Sequence, residues 1–256
     1  MTVLGLLGEP LEHWRELKEQ CEEQLSFLQD AVNGQERSKR ADDWLWNYSR
    51  KIVDQHRGAA YNVESDPVAG LLELKVNGEP LAPDLVVGFV RLILAAGHES
   101  TTSAISICLH YLVTTPEDQQ RLREEPALIP AAVEEILRVR SPVLMMPRTV
   151  TRDVEVRGRQ LRAGDNVMLV WASANRDEAA FEQPERCVFD RGPTRHMVFG
   201  HGIHSCLGAA LARHEIRIVL EELLAATARI ILDGPVEHEF WHRYGVRSLP
   251  CAVATP

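Results

Sequence analysis

Cysteine is scarce in this chain, and the few copies present are unpaired. The five cysteines among 256 residues form no C-x-x-C pair, so neither a disulfide-stapled scaffold nor a zinc module with paired ligands is indicated. Their odd number suits a reducing compartment. Basic residues are also in the minority, and the net charge of -9 argues against a nucleic-acid or anionic-membrane partner.

Targeting and membrane signals are missing as well. The apolar opening Met1–Leu7 lacks a basic region and breaks at Gly8, so it is too short for a signal peptide or a membrane span. There is no internal repeat, low-complexity tract or glycine-rich nucleotide-binding motif. With 45% hydrophobic residues the chain can bury a sizeable core as one or two domains. These features predict a soluble, cytoplasmic protein.

The most informative stretch is Phe199–Gly208, where glycines precede and follow Cys206 and an apolar helical run begins at Ala209. The glycines allow a sharp turn and close approach to a bulky group. Free N–H groups and the positive end of the helix dipole favour a thiolate at Cys206, which suits an axial iron ligand.

Two alternatives to an iron ligand have to be weighed. A lone cysteine before a helix is usually a small buried hydrophobe. A zinc site is the second alternative, although its candidate ligands lack the paired spacing of a structural zinc module; they are His196, His201, His204 and Cys206.

The same stretch resembles the cysteine loop of the haem-thiolate monooxygenases, the cytochromes P-450, with the pattern F-x-x-G-x-x-x-C-x-G. All four fixed places are filled, by Phe199, Gly202, Cys206 and Gly208. The resemblance implies haem b as cofactor and Cys206 as the iron ligand. It further implies that His204 contacts a haem propionate and that the loop residues Phe199, Gly200 and Gly208 lie against the haem.

A long helix is predicted from Pro83 to about Thr114, with a polar interruption over Ala95–Thr102. A glycine, an acid and three hydroxyl residues in mid-helix lower helix propensity and favour local opening. A stripe of polar residues facing solvent is the alternative interpretation.

The interruption resembles the family's oxygen-activating pattern A-G-x-E/D-T-T. Ala96, Gly97, Glu99 and Thr101 match, whereas Ser100 replaces the first threonine and keeps only its hydroxyl. The resemblance implies that Ala96 and Gly97 lie beside the haem. It also implies that Glu99 and Ser100 deliver protons, with Thr101 as a possible substitute for Ser100.

Two further arginine motifs resemble family positions. Glu135 and Arg138 are three residues apart on a predicted helix over 131–140, so they share a face. The family's E-x-x-R motif implies that this pair is structural and is joined by a later arginine, for which Arg186 is the best match. Arg148 matches a propionate contact, and a guanidinium fork suits a carboxylate.

A mainly α fold with small β-sheets is predicted. Charged amphipathic helices are expected over residues 12–27 and, after a break at Asn33-Gly34, around residues 44–53, and short β-rich segments over 148–151, 154–156 and 167–170. We expect one haem-thiolate domain fragment over 1–256, in this order: lid-type helices 1–82, oxygen-activating helix 83–115, E-x-x-R helix 131–140, small sheets and meander 143–195, cysteine loop and following helix 196–222, and C-terminal hairpin region 223–256.

The resemblance to soluble bacterial members implies a monooxygenase that inserts one atom of O2 into a small apolar organic substrate. Electrons are expected from a separate ferredoxin or flavodoxin-type donor, with no nucleic acid or membrane involved. A peroxide-driven enzyme and a non-catalytic remnant are the alternatives. Since the chain matches only the C-terminal part of the family pattern, we expect weak haem binding and poor turnover.

Overall fold

The computed structural model describes residues 1–28, 30–57, 62–193, 195–241 and 243–255. These residues form nine α-helices and ten short strands, and the strands pair into five separate two-stranded antiparallel sheets. The prediction of a mainly α fold with small β-sheets is confirmed. By its internal contacts the chain divides into two compact units, Met1–Glu99 and Ser100–Pro256.

The first unit is helical apart from one short hairpin. Its elements are α1 (Thr2–Leu6), α2 (Trp14–Glu23), α3 (Gly34–His56), α4 (Pro67–Glu73), β1 (Lys75–Val76), β2 (Glu79–Pro80) and the first part of α5 (Pro83–Thr114). Leu4, Leu45, Ile52 and Leu94 are completely buried in its core. Burial of such side chains contributes on the order of 1.5–3 kcal/mol each.

Local sequence signals explain two of these elements. The Asp66 side chain caps α4 by accepting hydrogen bonds from the N–H groups of Val68 and Ala69, at 2.9 and 3.0 Å. Between β1 and β2, Asn77 and Gly78 both have positive φ angles, of 56° and 86°. This is the two-residue hairpin turn that an Asn-Gly pair favours.

The helix predicted over residues 12–27 ends early, at Glu23, and is followed by a turn and a 3-10 segment. The cause is a tight corner before α3. Ser26 Oγ donates to the Gly34 carbonyl at 2.8 Å, and a Cβ on Gly34 would lie 2.4 Å from the Ser26 carbonyl oxygen. The break at Asn33-Gly34 is confirmed, because α3 begins there.

The second unit contains the remainder of α5 and the elements that follow it. They are α6 (Pro116–Glu124), α7 (Ile129–Arg140), β3 (Met146–Thr149), β4 (Val154–Val156), β5 (Arg159–Leu161), β6 (Asn166–Leu169), α8 (Trp171–Ala174), α9 (Ala209–Ala226), β7 (Arg229–Leu232), β8 (Glu237–Trp241), β9 (Arg243–Ser248) and β10 (Cys251–Ala254). The pairs are β3 with β6, β4 with β5, β7 with β10, and β8 with β9. Helices α5, α7 and α9 supply most of the core, including Leu112, Ile136 and Leu220.

Helix α5 runs without interruption through residues 95–102, so the expected local opening is wrong. Packing compensates for the poor helix formers. A Cβ on Gly97 would lie 2.8 Å from Val3 Cγ2, so glycine at this place lets α1 pack closely against α5. Within the described residues, α5 is also the one helix long and apolar enough to cross a membrane. A buried core helix passes the same test, so this is weak evidence for a span.

Candidate functional site

The loop before α9 is built on two glycines with positive φ, Gly200 at +70° and Gly202 at +71°. A Cβ on Gly200 would lie 3.3 Å from the His204 carbonyl oxygen. The loop closes when the N–H of Cys206 donates to the carbonyl of Phe199 at 2.7 Å. These features confirm the sharp turn that the glycine pattern predicts.

Cys206 lies on the surface of its unit, with its thiol side chain exposed. Its apolar neighbours Ile203 and Leu207 are 97% and 84% exposed. A Cβ on Gly208 would meet nothing within 4 Å. A soluble protein rarely leaves such a strip uncovered. An exposed thiol with two exposed apolar neighbours suits a flat apolar group that carries a metal at its centre, such as haem.

The zinc alternative is not supported. His196, one of its four candidate ligands, is bound through Nε2 to Glu134 Oε2 at 3.0 Å. In the part of the chain that the structure describes, no group of three or more His, Cys, Asp or Glu side chains is placed to hold a metal ion. The alternative of a buried structural cysteine is also excluded for Cys206, because its side chain is exposed.

The two predicted propionate contacts lie in different elements of the second unit. His204 is exposed in a 3-10 turn of the cysteine loop. Arg148 is half-buried in β3, and its Nη1 donates to the carbonyl of Pro147 at 2.7 Å. Both carry donors suited to a carboxylate, and their role stays a prediction.

The predicted proton-delivery residues follow one another on α5. Ala96 is exposed, Gly97, Glu99 and Ser100 are half-buried, and Thr101 is buried. Glu99 is the last residue of the first compact unit, and Ser100 is the first residue of the second. Because successive residues of a helix are about 100° apart, the Glu99 and Thr101 side chains leave α5 on nearly opposite sides. The roles of Ser100 and Thr101 stay predictions.

The E-x-x-R pair is the most completely buried polar cluster of the second unit. Arg138 is 0% exposed and Glu135 is 2% exposed. Arg138 donates twice to the Glu135 carboxylate, at 2.7 and 3.0 Å. Burial raises the pKa of Glu135, but hydrogen bonds from Arg138, Val188 and Arg191 outweigh this and lower it overall. The lowered pKa keeps Glu135 ionised, and Arg138 makes five hydrogen bonds to the surrounding acceptors.

The arginine that joins Glu135 differs from the predicted one. Arg191 Nε donates to Glu135 Oε2 at 3.1 Å. The Arg186 side chain donates instead to Gln183 at 3.1 Å, so the prediction of Arg186 is wrong. Arg186 contributes only its main-chain carbonyl, which accepts from Arg138 at 2.8 Å. Gln183, where φ is +50°, also contacts the later arginine, since its carbonyl accepts from Arg191 Nη2 at 3.4 Å.

Asn175, which is 0% exposed, links this cluster to the cysteine loop. Its carbonyl accepts from Arg138 at 2.8 Å, and its side-chain oxygen accepts from the N–H of Met197 at 2.6 Å. Its side-chain nitrogen donates to Ser141 Oγ at 2.9 Å. A single buried amide therefore joins the end of α7 to the start of the loop.

A second network, which the sequence does not reveal, lies on the other side of α7. Glu134 receives two hydrogen bonds from Arg213 of α9, at 2.8 and 2.9 Å, besides the one from His196. The guanidinium carbon of Arg213 lies 4.2 Å from the centre of the Phe199 ring. Two consecutive glutamates on a helix do not indicate, from sequence alone, that each carboxylate binds its own set of arginine or histidine side chains.

The C-terminal hairpin packs on α5 within the second unit. The N–H of Val246 donates a hydrogen bond to Ser106 Oγ at 3.0 Å. A Cβ on Gly245 would lie 3.0 Å from Ser103 Oγ, so β9 approaches the helix closely at this glycine. The hairpin also contacts the segment that follows α7, since Tyr244 N donates to the Pro142 carbonyl at 2.8 Å.

Comparison with known proteins identifies what this arrangement is similar to. A family model described as Cytochrome P450 matches residues 6–226. The chain is 37% identical over 255 residues to YjiB of Bacillus subtilis (strain 168), covering 97% of this chain and 63% of the relative. It is 36% identical over 218 residues to the mycinamicin IV hydroxylase/epoxidase of Micromonospora griseorubida, covering 84% of this chain and 54% of the relative.

Solved structures show the same similarity. CYP109E1 from Bacillus megaterium, in complex with testosterone, is 34% identical, with a TM-score of 0.87 over 100% of this chain and 69% of that structure. The cytochrome P450 PksS from Bacillus subtilis 168 is 29% identical, with a TM-score of 0.89 over 99% of this chain and 65% of that structure. The chain therefore spans less than two thirds of the length of the two curated relatives, at 63% and 54%.

Proposed function

Since the chain belongs to the cytochrome P450 family, we propose that it carries the haem-thiolate site of a monooxygenase. The reaction is insertion of one oxygen atom from O2 into a small apolar organic substrate. The observation that carries the proposal is the cysteine loop. Its glycine turn, the Cys206 N–H bond to Phe199 and the exposed apolar strip together present one thiol to a flat group.

The cofactor of the proposal is haem b, and the residues present fit it. Cys206 would bind the iron, and Arg148 and His204 would hold the propionates by charge-assisted hydrogen bonds. Phe199 backs the loop, while Gly200 and Gly208 leave room for the macrocycle. Haem bound here supplies an iron centre for dioxygen reduction, and a thiolate ligand favours cleavage of the O–O bond.

The proton route of the proposal lies on α5. The Glu99 carboxyl takes up protons, and the Ser100 hydroxyl passes them on by exchanging hydrogen bonds. Serine keeps the required O–H but has no methyl group to restrict χ1. If Ser100 acts in this way, Ser100→Ala loses coupling between O2 consumption and product. A Ser100→Ala enzyme that stays fully coupled would exclude it.

The names of two relatives support an apolar substrate. One is a methyl-branched lipid omega-hydroxylase from Mycobacterium tuberculosis, and the other, CYP109E1, was solved with testosterone. Our proposal is that a ferredoxin or flavodoxin-type protein delivers the electrons in the cytoplasm.

The test is the absorption spectrum of the chain mixed with haem, reduced, and exposed to carbon monoxide. We expect a red-shifted Soret band, typical of thiolate ligation, that disappears in Cys206→Ala. Cys251→Ala is the matched control, because Cys251 is also an exposed, free cysteine. An unshifted band, or a red-shifted band that survives in Cys206→Ala, contradicts the proposal. Product formation with peroxide but none with reductant and O2 assigns a peroxygenase instead.

A further inference from the structure

The guanidinium of Arg213 is held in one orientation by Glu134. Nε donates to Oε1 at 2.8 Å and Nη2 donates to Oε2 at 2.9 Å. Two parallel bonds between a guanidinium and a carboxylate restrict both side chains far more than a single contact does. Most surface ion pairs contribute little, but this one has the bidentate geometry in which the position of the arginine is well defined.

The orientation matters because Arg213 covers Phe199. The guanidinium carbon lies 4.2 Å from the ring centre, which is within the range of a cation–π contact. His196 is also bound to Glu134, at 3.0 Å, and its ring centre is 6.1 Å from that of Phe199. The His196 side chain is only 2% exposed. One carboxylate thus holds two groups that lie next to the phenylalanine ring.

Glu134 is charged under ordinary conditions. Burial raises its pKa, but hydrogen bonds from His196 and Arg213 outweigh burial and bring the pKa to about 2. The Glu134 carboxylate is therefore ionised across the neutral pH range. Phe199 then connects it to the ligand, because its carbonyl accepts the Cys206 N–H at 2.7 Å.

We propose that Glu134 is a positioning residue for the iron-binding thiolate, acting through Arg213, His196 and Phe199. Its carboxylate is hydrogen-bonded to Arg213 and His196, and it acts on Cys206 through them. It sets the place of Phe199, and the Phe199 carbonyl sets the place of Cys206. The role in catalysis rests on the proposed function. The chain of contacts from Glu134 to Cys206 does not depend on it, because these contacts are present without haem.

Hydrogen exchange of the Cys206 amide in the chain without haem tests this link. Loss of charge-assisted hydrogen bonds in Glu134→Gln should speed this exchange about tenfold. Amides of the buried core of α5, such as Leu112, should exchange at the wild-type rate. Arg213→Lys, which keeps the charge but loses the fork, should behave like Glu134→Gln. Glu222→Gln is the matched control, since it removes an exposed carboxylate of α9.

Two outcomes overturn the inference. One is an exchange rate of the Cys206 amide that stays the same in Glu134→Gln as in the wild type. The other is equal acceleration at Cys206 and Leu112, which shows that Glu134 supports only global stability. When haem is bound, the red-shifted fraction of the carbon monoxide spectrum should fall in Glu134→Gln and not in Glu222→Gln. A wild-type chain without that band refutes the proposed function alone, because the exchange experiment needs no haem.

Discussion

Replacing Arg138 by methionine should severely destabilise the second unit. The substitution keeps most of the side-chain length but removes five hydrogen bonds, two to Glu135 and three to the carbonyls of Asn175, Pro184 and Arg186. It also removes the contact of the guanidinium carbon with the Phe181 ring, 4.8 Å from its centre.

The magnitude follows from burial. Removing one partner of a buried ion pair costs about 3–5 kcal/mol. Arg191 and the Val188 N–H remain on Glu135, which moderates the cost there, but three carbonyls lose a charged donor at the same time. We therefore expect a loss of at least about 4 kcal/mol, against a typical domain stability of about 5–15 kcal/mol.

Urea unfolding followed by circular dichroism measures this loss, with Arg121→Met as the control. Arg121 also pairs with a carboxylate, at 2.8 Å from Asp190, but these side chains are 36% and 64% exposed. The control should lose no more than about 1 kcal/mol. Arg138→Met with a loss below about 1 kcal/mol, or equal to that of the control, would show that the buried cluster does not hold the meander.

Two further predictions concern the cysteine loop and the C-terminal hairpin. Gly200→Ala should lower the melting temperature more than Gly158→Ala. Both glycines have positive φ, but only at Gly200 would the added Cβ meet a neighbour, the His204 carbonyl oxygen at 3.3 Å. Equal shifts in melting temperature would mean that backbone strain alone determines the loss. Burial lowers the pKa of His110, and the nearby charges of His238 and Arg140 lower it further. The unfolded chain therefore binds a proton at this histidine more readily than the folded chain does. The free energy of unfolding should fall as the pH drops below about 6.5. His110→Gln should flatten this part of the stability profile, and an unchanged profile would assign the pH dependence to other groups.

Several features of the site could be predicted from residues that are close in sequence. The glycine turn around Cys206 requires positive φ at Gly200 and Gly202, and glycine is the residue that adopts it at little cost. The ends of α7 follow from local signals in the same way, with Pro130 in its first turn and Ser141-Pro142 after its last. These properties depend on a few neighbouring residues, so the sequence contains the information.

The predictions from sequence were wrong where segments distant in sequence contact each other. Arg186 and Arg191 are both near enough in sequence to reach Glu135, and only the path of the chain after Gln183 selects Arg191. The segment around Gly97 has poor helix propensity, yet contact with Val3 from α1 accompanies an unbroken helix. Propensity is a weak prior that such packing overrides.

Glu134 and Glu135 show the division most clearly. By itself the sequence determined that both lie on one helix, and that Glu135 shares a face with Arg138 three residues later. Tertiary structure decided their partners. Adjacent helical residues point about 100° apart, so Glu135 faces Arg191 in the meander, whereas Glu134 faces Arg213 on α9. Which segments lie on the two sides depends on long-range packing of the whole unit, and no local pattern specifies it.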